Sequence, residues 1–124
     1  MKTLFVNGTL MRGLELHKNL EGAEFLGEFK TLPKYRLYSI NDIHPGMYEV
    51  QDGGVAVTGE LYRMSDEIWH KVEAGEPPHL YCGDVYLENG ETVDGILYPE
   101  EEAVKYPEIS EYGDWRRYMA ARQK

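Results

Sequence analysis

The chain has 124 residues and a mass of 14.3 kDa, the size of one ordinary domain that needs no metal or disulfide staple to bury a core. It is 42% hydrophobic and 28% charged, which is globular rather than disordered, and its net charge of −9 with no basic run argues against nucleic acid and anionic membrane surfaces as partners. The single cysteine, Cys82, excludes a disulfide framework and a cysteine-based zinc site within one chain.

No apolar stretch approaches the roughly 20 residues of a membrane span. Met1 to Val6 runs into Asn7-Gly8 too soon for a signal-peptide core. The expected compartment is therefore a reduced cytoplasm, the expected partner a small-molecule substrate, and the expected assembly a monomer or weak homodimer.

Thr3-Leu4-Phe5-Val6 reads as a buried strand ending in a tight turn at Asn7-Gly8. Leu10, Leu14, Leu16 and Leu20 are spaced for a helix over residues 11–20, interrupted early by Gly13. Glu24 to Lys30 and Tyr35 to Ile40 alternate around Leu32-Pro33 and predict an antiparallel pair. Asn41 to Gly46 reads as a loop, Met47 to Val50 as a short strand, and Asp52-Gly53-Gly54 as a hairpin turn into a strand over Val55 to Met64. Ser65 is suited to cap a helix over residues 65–74, which Gly75 and Pro77-Pro78 stop. Leu80 to Leu87 and Thr92 to Tyr98 flank Asn89-Gly90, the strongest hairpin signal in the chain. Pro99 to Glu111 is acidic and irregular, and Asp114 is placed to cap a closing helix near residues 113–122 with Trp115, Tyr118 and Met119 on its apolar face. Hairpins dominate, so the expected fold is α+β: a small mixed, mostly antiparallel β-barrel with two or three flanking helices, in a single domain over residues 1–124.

Two segments could carry chemistry. In Asn7-Gly8-Thr9-Leu10 a strand turns toward a helix, and the turn exposes backbone N–H groups that would cradle a carboxylate or oxyanion. The alternative is an ordinary turn in which Gly8 only supplies a permissive backbone. In Glu73-Ala74-Gly75-Glu76-Pro77-Pro78-His79-Leu80-Tyr81 two carboxylates stand where a helix ends against two prolines. Desolvation there would raise a carboxyl toward a useful general base; the alternative is a solvated helix end. His44, before Pro45-Gly46, either lines a pocket mouth or sits on a surface loop. Arg36 reads equally as a carboxylate-binding cation or as an ion-pair residue. The four histidines match no common metal spacing, no serine lies in a Gly-flanked elbow, and Cys82 reads as a buried structural thiol inside a strand.

These same residues resemble the gamma-glutamylcyclotransferase-like superfamily, whose opening strand often reads Tyr-Gly-Ser/Thr-Leu followed by Arg and Gly. Here it is Asn7-Gly8-Thr9-Leu10-Met11-Arg12-Gly13, with Asn7 in place of the tyrosine. The C-terminal domain of allophanate hydrolase is similar over nearly the whole length. The matching stretches are Pro33-Lys34-Tyr35-Arg36-Leu37-Tyr38, Pro45-Gly46-Met47, Gly59-Glu60-Leu61-Tyr62, Leu80 to Gly90 with Val93-Asp94-Gly95, and Ile109 to Tyr118.

The resemblance implies a cavity beside the Gly-Thr-Leu loop. It also implies an enzyme that cyclises a gamma-glutamyl amine or peptide to 5-oxoproline, with Glu76, or failing it Glu73, as acid/base. Asn7, Gly8, Thr9, Leu10, Arg36, His44 and Tyr81 are the expected substrate-binding residues, with neither metal nor organic cofactor. The other readings are an allophanate-hydrolase-type domain acting on a urea-derived carboxylate, for which a free-standing chain would lack the amidase region, and a non-catalytic ligand-binding module.

Overall fold

The computed structural model describes residues 1–122. Seven strands fall into two sheets. The larger has the order β2-β5-β1-β7-β6 and the smaller is the β3-β4 hairpin. β1 (Lys2–Val6) is the apolar centre strand, antiparallel to β5 (Thr58–Met64) and parallel to β7 (Thr92–Leu97). β2 (Glu24–Lys30) and β6 (Tyr81–Tyr86) are the edges. They meet only at their ends, where Thr31 and Leu87 form a single bridge. The sheet therefore curls without closing, which corrects the expected barrel: the fold is an α+β sheet, mostly antiparallel.

The reason lies in the partner choices. β2 pairs with β5 rather than with β3 (Tyr35–Ile40). β3 pairs with β4 (His44–Glu49), so no strand is left to join β2 to β6. Asn41 and Asp42 both have positive φ, and Ile43 N–H donates to the Ile40 carbonyl at 3.0 Å. That is the backbone of a tight hairpin turn, and it makes His44-Pro45-Gly46 strand rather than loop. Asp52-Gly53-Gly54 is not a hairpin turn either; it carries the chain from the small sheet to the large one.

α1 (Asp66–Ala74) begins at Ser65, whose Oγ accepts from the Ile68 N–H at 3.3 Å. α2 (Glu100–Ala103) is one short turn inside the segment expected to be irregular. α3 (Trp115–Arg122) begins beside Asp114, whose Oδ1 accepts from Arg116 N–H at 2.8 Å. Asn89-Gly90 turns β6 into β7 as expected, with Gly90 at φ 93°. The expected helix over 11–20 is absent. Turns occupy 8–16 and a 3-10 turn spans His17–Leu20. Gly13 sits at φ 79°, outside helical space.

The main core gathers Leu4, Phe5, Leu37, Met47, Leu61, Val72 and Trp115 between the large sheet, the hairpin and the helices. A second cluster, with Tyr38, Tyr48, Tyr98 and Ala103, seats α2 against the hairpin. Among the described residues no helix is long and apolar enough to cross a membrane.

Candidate functional site

The two parallel strands β1 and β7 both run toward one cleft, which Val6 and Ile96 line at their ends. Its other walls are Asn7, Gly8, Thr9 and Leu10 after β1, His44 and Pro45 of β4, and Glu76, Pro77 and Leu80 after α1. The cleft is narrow, with a cavity volume of about 30 Å³, and opens to solvent.

The loop after β1 is held in place through its carbonyls. Gly8 C=O accepts from Met11 N–H at 3.0 Å, Thr9 C=O from Leu16 N–H at 2.9 Å, and Leu10 C=O from His17 Nδ1 at 3.0 Å. The N–H groups of Gly8, Thr9 and Leu10 have no acceptor among the described residues. Gly8 has a steric reason to be glycine: a Cβ there would lie 2.7 Å from Pro45 Cδ. Loop and hairpin thus touch in a way that only a hydrogen side chain permits.

Behind the loop lies Glu60, a buried carboxylate that sequence reading passed over as part of a matching strand. It accepts from Arg12 N–H at 2.8 Å, Arg12 Nε at 3.1 Å, Tyr62 OH at 3.0 Å and an Arg116 guanidinium N–H at 3.2 Å. Burial alone would raise its pKa, but the hydrogen bonds and the Arg12 charge hold it below the ordinary value. A glutamate between apolar neighbours on an inward-facing strand was the signal available.

Across the cleft, α1 ends at Gly75, whose N–H donates to the Val72 carbonyl at 3.1 Å. Glu76 N–H donates to Glu73 C=O at 3.3 Å, and Pro77 prevents further helix. This aims Glu76 into the cleft. Its Oε1 is buried with no hydrogen-bond partner. Desolvation pushes its carboxyl up to about 7.

His44 is buried and belongs to a strand, not to an exposed loop. Its Nδ1 donates to the Pro45 carbonyl at 3.0 Å, which leaves Nε2 as the ring's acceptor. Desolvation lowers its pKa and favours the neutral ring. Asn7 is also buried, its Nδ2 3.7 Å from Met47 Sδ.

The structure thus brings Asn7, Gly8, Thr9, Leu10, His44 and Glu76 to one cleft and places the other expected residues outside it. Arg36 bonds Glu108 and the Gly53 carbonyl, each at 2.5 Å. Glu73 is exposed and Tyr81 is 48% exposed; both line an adjoining groove. Cys82 is exposed in that groove rather than buried. Among the described residues no group of three or more metal-ligating side chains gathers.

Comparison with known proteins places this architecture. The allophanate hydrolase C-terminal domain family matches residues 2–120. A solved structure of a protein specific to uropathogenic Escherichia coli superposes with a TM-score of 0.92 at 40% identity, covering 96% of this chain and 95% of that one. A Vibrio cholerae protein named provisionally as a gamma-glutamylcyclotransferase is 31% identical over 90% of this chain and 93% of its own length. The urea amidolyase of Saccharomyces cerevisiae is 31% identical over 98% of this chain, which spans only 7% of that protein. The chain belongs to the allophanate hydrolase C-terminal domain family and, with its Vibrio relative, to the gamma-glutamylcyclotransferase-like superfamily.

Proposed function

We propose that the cleft cyclises a gamma-glutamyl amide, releasing 5-oxoproline and a free amine. The observation that carries this reading is Glu76: a buried, unpartnered carboxyl oxygen with its pKa near 7, across a cleft from a loop with unspent N–H groups. The Gly8, Thr9 and Leu10 N–H groups bind the negative oxygens of the substrate and of the tetrahedral intermediate. Glu76 takes a proton from the substrate's α-ammonium. The freed nitrogen attacks the gamma-carbonyl carbon of the same molecule, forming one C–N bond. The tetrahedral adduct then collapses, its other C–N bond breaks, and Glu76 returns the proton to the departing amine, while the second proton on the ring nitrogen is lost to solvent and the released amine takes one up as an ammonium. No water is consumed and no redox change occurs. Holding the chain curled can supply about 7–11 kcal/mol of the barrier through proximity alone, so this route needs no cofactor. His44 Nε2 is available as an acceptor for the substrate ammonium.

The test is 5-oxoproline release from a panel of gamma-glutamyl dipeptides and amines. Glu76→Gln keeps the size and loses the proton acceptor, so the rate should fall about 10²–10⁴-fold while 5-oxoproline still binds. Absence of release by the wild type across the panel would remove the cyclotransferase reading.

Family membership supports a second reading, in which the cleft takes a small urea-derived carboxylate. There the N–H cradle holds the carboxylate and protonated Glu76 supplies the proton that replaces carbon dioxide on nitrogen. Carbon dioxide and urea released from allophanate, without 5-oxoproline from any gamma-glutamyl compound, would select it.

A further inference from the structure

Glu76 faces two spaces. With Leu80 and Ile96 it lines the cleft, and the same three residues line a second groove of about 70 Å³. That groove is walled further by Trp69, Glu73, Tyr81 and Cys82. Trp69 in turn borders a broader hollow with Asp66, Asp84, Glu91 and Asp94. The groove therefore starts at Glu76 and adjoins the acidic hollow at Trp69 of α1.

We propose that this groove receives the amine released by the reaction, and that it selects an amine with an apolar body ending in a cation over one ending in a carboxylate. The inference rests on the cyclisation reading and adds its substrate class. Its geometry follows from the proton's path. The group that deprotonates the attacking nitrogen must also reach the departing one, so the departing amine leaves the acyl cleft beside Glu76. The other space that Glu76 lines is the groove.

Its walls set the selectivity. Trp69, Leu80, Tyr81 and Ile96 offer apolar surface for carbon chain or ring. Glu73 stands at the rim, and Asp84 faces Asp94 across the β6–β7 pair. Like charges directly opposite cost stability unless something neutralises them. Two cationic residues border these hollows, Met1 with its α-ammonium and Lys2, against the four carboxylates of the broader hollow, and Lys2 is already engaged: its Nζ is 3.1 Å from Asp94 Oδ2 and 4.4 Å from the Trp69 ring centroid. Glu73 and Asp84 have no such partner among the described residues. A carboxylate at the far end of the leaving amine meets repulsion there, and an ammonium meets attraction.

The experiment compares gamma-glutamyl-cadaverine, gamma-glutamyl-pentylamine and gamma-glutamyl-aminohexanoate, which share a methylene chain and differ at its end. Expected kcat/KM falls in that order, with about five- to tenfold between the cation and the anion, the size of exposed charge effects. Glu73→Gln should narrow that ratio by speeding the anionic substrate. Independently of turnover, free cadaverine should shift the Trp69 indole N–H resonance, identified with Trp69→Phe. Free aminohexanoate should shift it less, and the buried Trp115 serves as internal reference. Equal kcat/KM across the series, or turnover with no response at Trp69, overturns the groove. If no compound is turned over but cadaverine alone shifts Trp69, cyclisation falls and the groove's preference for a cation stands. With neither turnover nor a shift, both fall.

Discussion

Two glutamates, the buried Glu60 and the half-buried Glu76, flank the same loop and have opposite chemistry. Glu60 is saturated: two arginines, a tyrosine and a backbone N–H surround its carboxylate. Its pKa is lowered despite burial. Glu76 has one oxygen with no partner and a pKa raised to about 7 by desolvation alone. The first keeps its charge and ties the loop to β5 and α3. The second keeps its proton near neutrality and ties nothing. A buried carboxylate that is fully satisfied is structure; one left unsatisfied in a cleft is a candidate for chemistry.

Removing the satisfied one should have the largest effect on folding. Glu60→Ala strips the partner from Arg12 and Arg116, and a broken buried pair typically costs about 3–5 kcal/mol. Urea denaturation should show it as a lower midpoint, and the Met11 and Arg12 amides should lose exchange protection first. Glu76→Gln, measured the same way at pH 8, should stabilise the fold. If both substitutions destabilise alike, the contrast between the two sites is wrong.

Gly8→Val tests the cradle between them. The new Cβ would overlap Pro45, 2.7 Å from Cδ. Overpacking of that kind costs about 1–3 kcal/mol, and the displaced loop should lose affinity for 5-oxoproline. Full affinity in a folded variant would rule out the loop as the anion cradle.

The pH dependence of stability separates the two glutamates next. Glu76 has a folded pKa of about 7 against an ordinary glutamate value of 4.5. The folded state therefore binds its proton more tightly than the unfolded chain does. The resulting stabilisation is fully present below the unfolded pKa and is lost as pH rises through about 7. Allowing for solvent screening, we expect a loss of about 1–2 kcal/mol between pH 4.5 and 8, absent in Glu76→Gln. Glu60 works in the other direction: its folded pKa is depressed, so its contribution is present above the unfolded pKa and is lost as pH falls toward the folded one. If Glu76 is the base, kcat/KM should also rise with pH through about 7 and then level.

Local signals in the sequence carried far, because caps and turns are local physics. Ser65, Asp114 and Asn89-Gly90 each act within three or four residues, and each does in the structure what its chemistry suggests. Strand pairing is not local. Nothing within β2 distinguishes β5 from β3 as its partner, so the structure differs from the antiparallel pair expected around Leu32-Pro33 and the mostly antiparallel sheet stays open rather than forming a barrel. Residues 11–20 have helical leucine spacing, yet Gly13 and the carbonyl contacts of the loop override it. Pro45 and Gly46 read as loop, whereas Asn41-Asp42 had already turned the chain. At the cleft, the Gly-Thr-Leu turn and the glutamate before two prolines were visible as motifs. Ile96, Leu80 and Pro45 were not, since apolar walls look like any other core residues.

Arg36 gives the smallest and sharpest test, because its sequence reading was evenly divided. Its guanidinium bonds the Glu108 carboxylate, which also accepts from Ser110 Oγ at 2.7 Å. Ser110 Oγ accepts in turn from Leu37 N–H at 2.8 Å, and Arg36 holds the Gly53 carbonyl. The arginine thus clips the crossing between the two sheets to the segment before α3, on a partly exposed surface outside the cleft walls. Arg36→Ala should cost about 0.5–1 kcal/mol, the range for an exposed pair with one further hydrogen bond. Its kcat/KM for 5-oxoproline release should stay within about twofold of wild type, because screened surface charges act weakly over distance. A tenfold fall in kcat/KM with unchanged thermal stability would return Arg36 to the substrate and require the cleft to extend across the small hairpin.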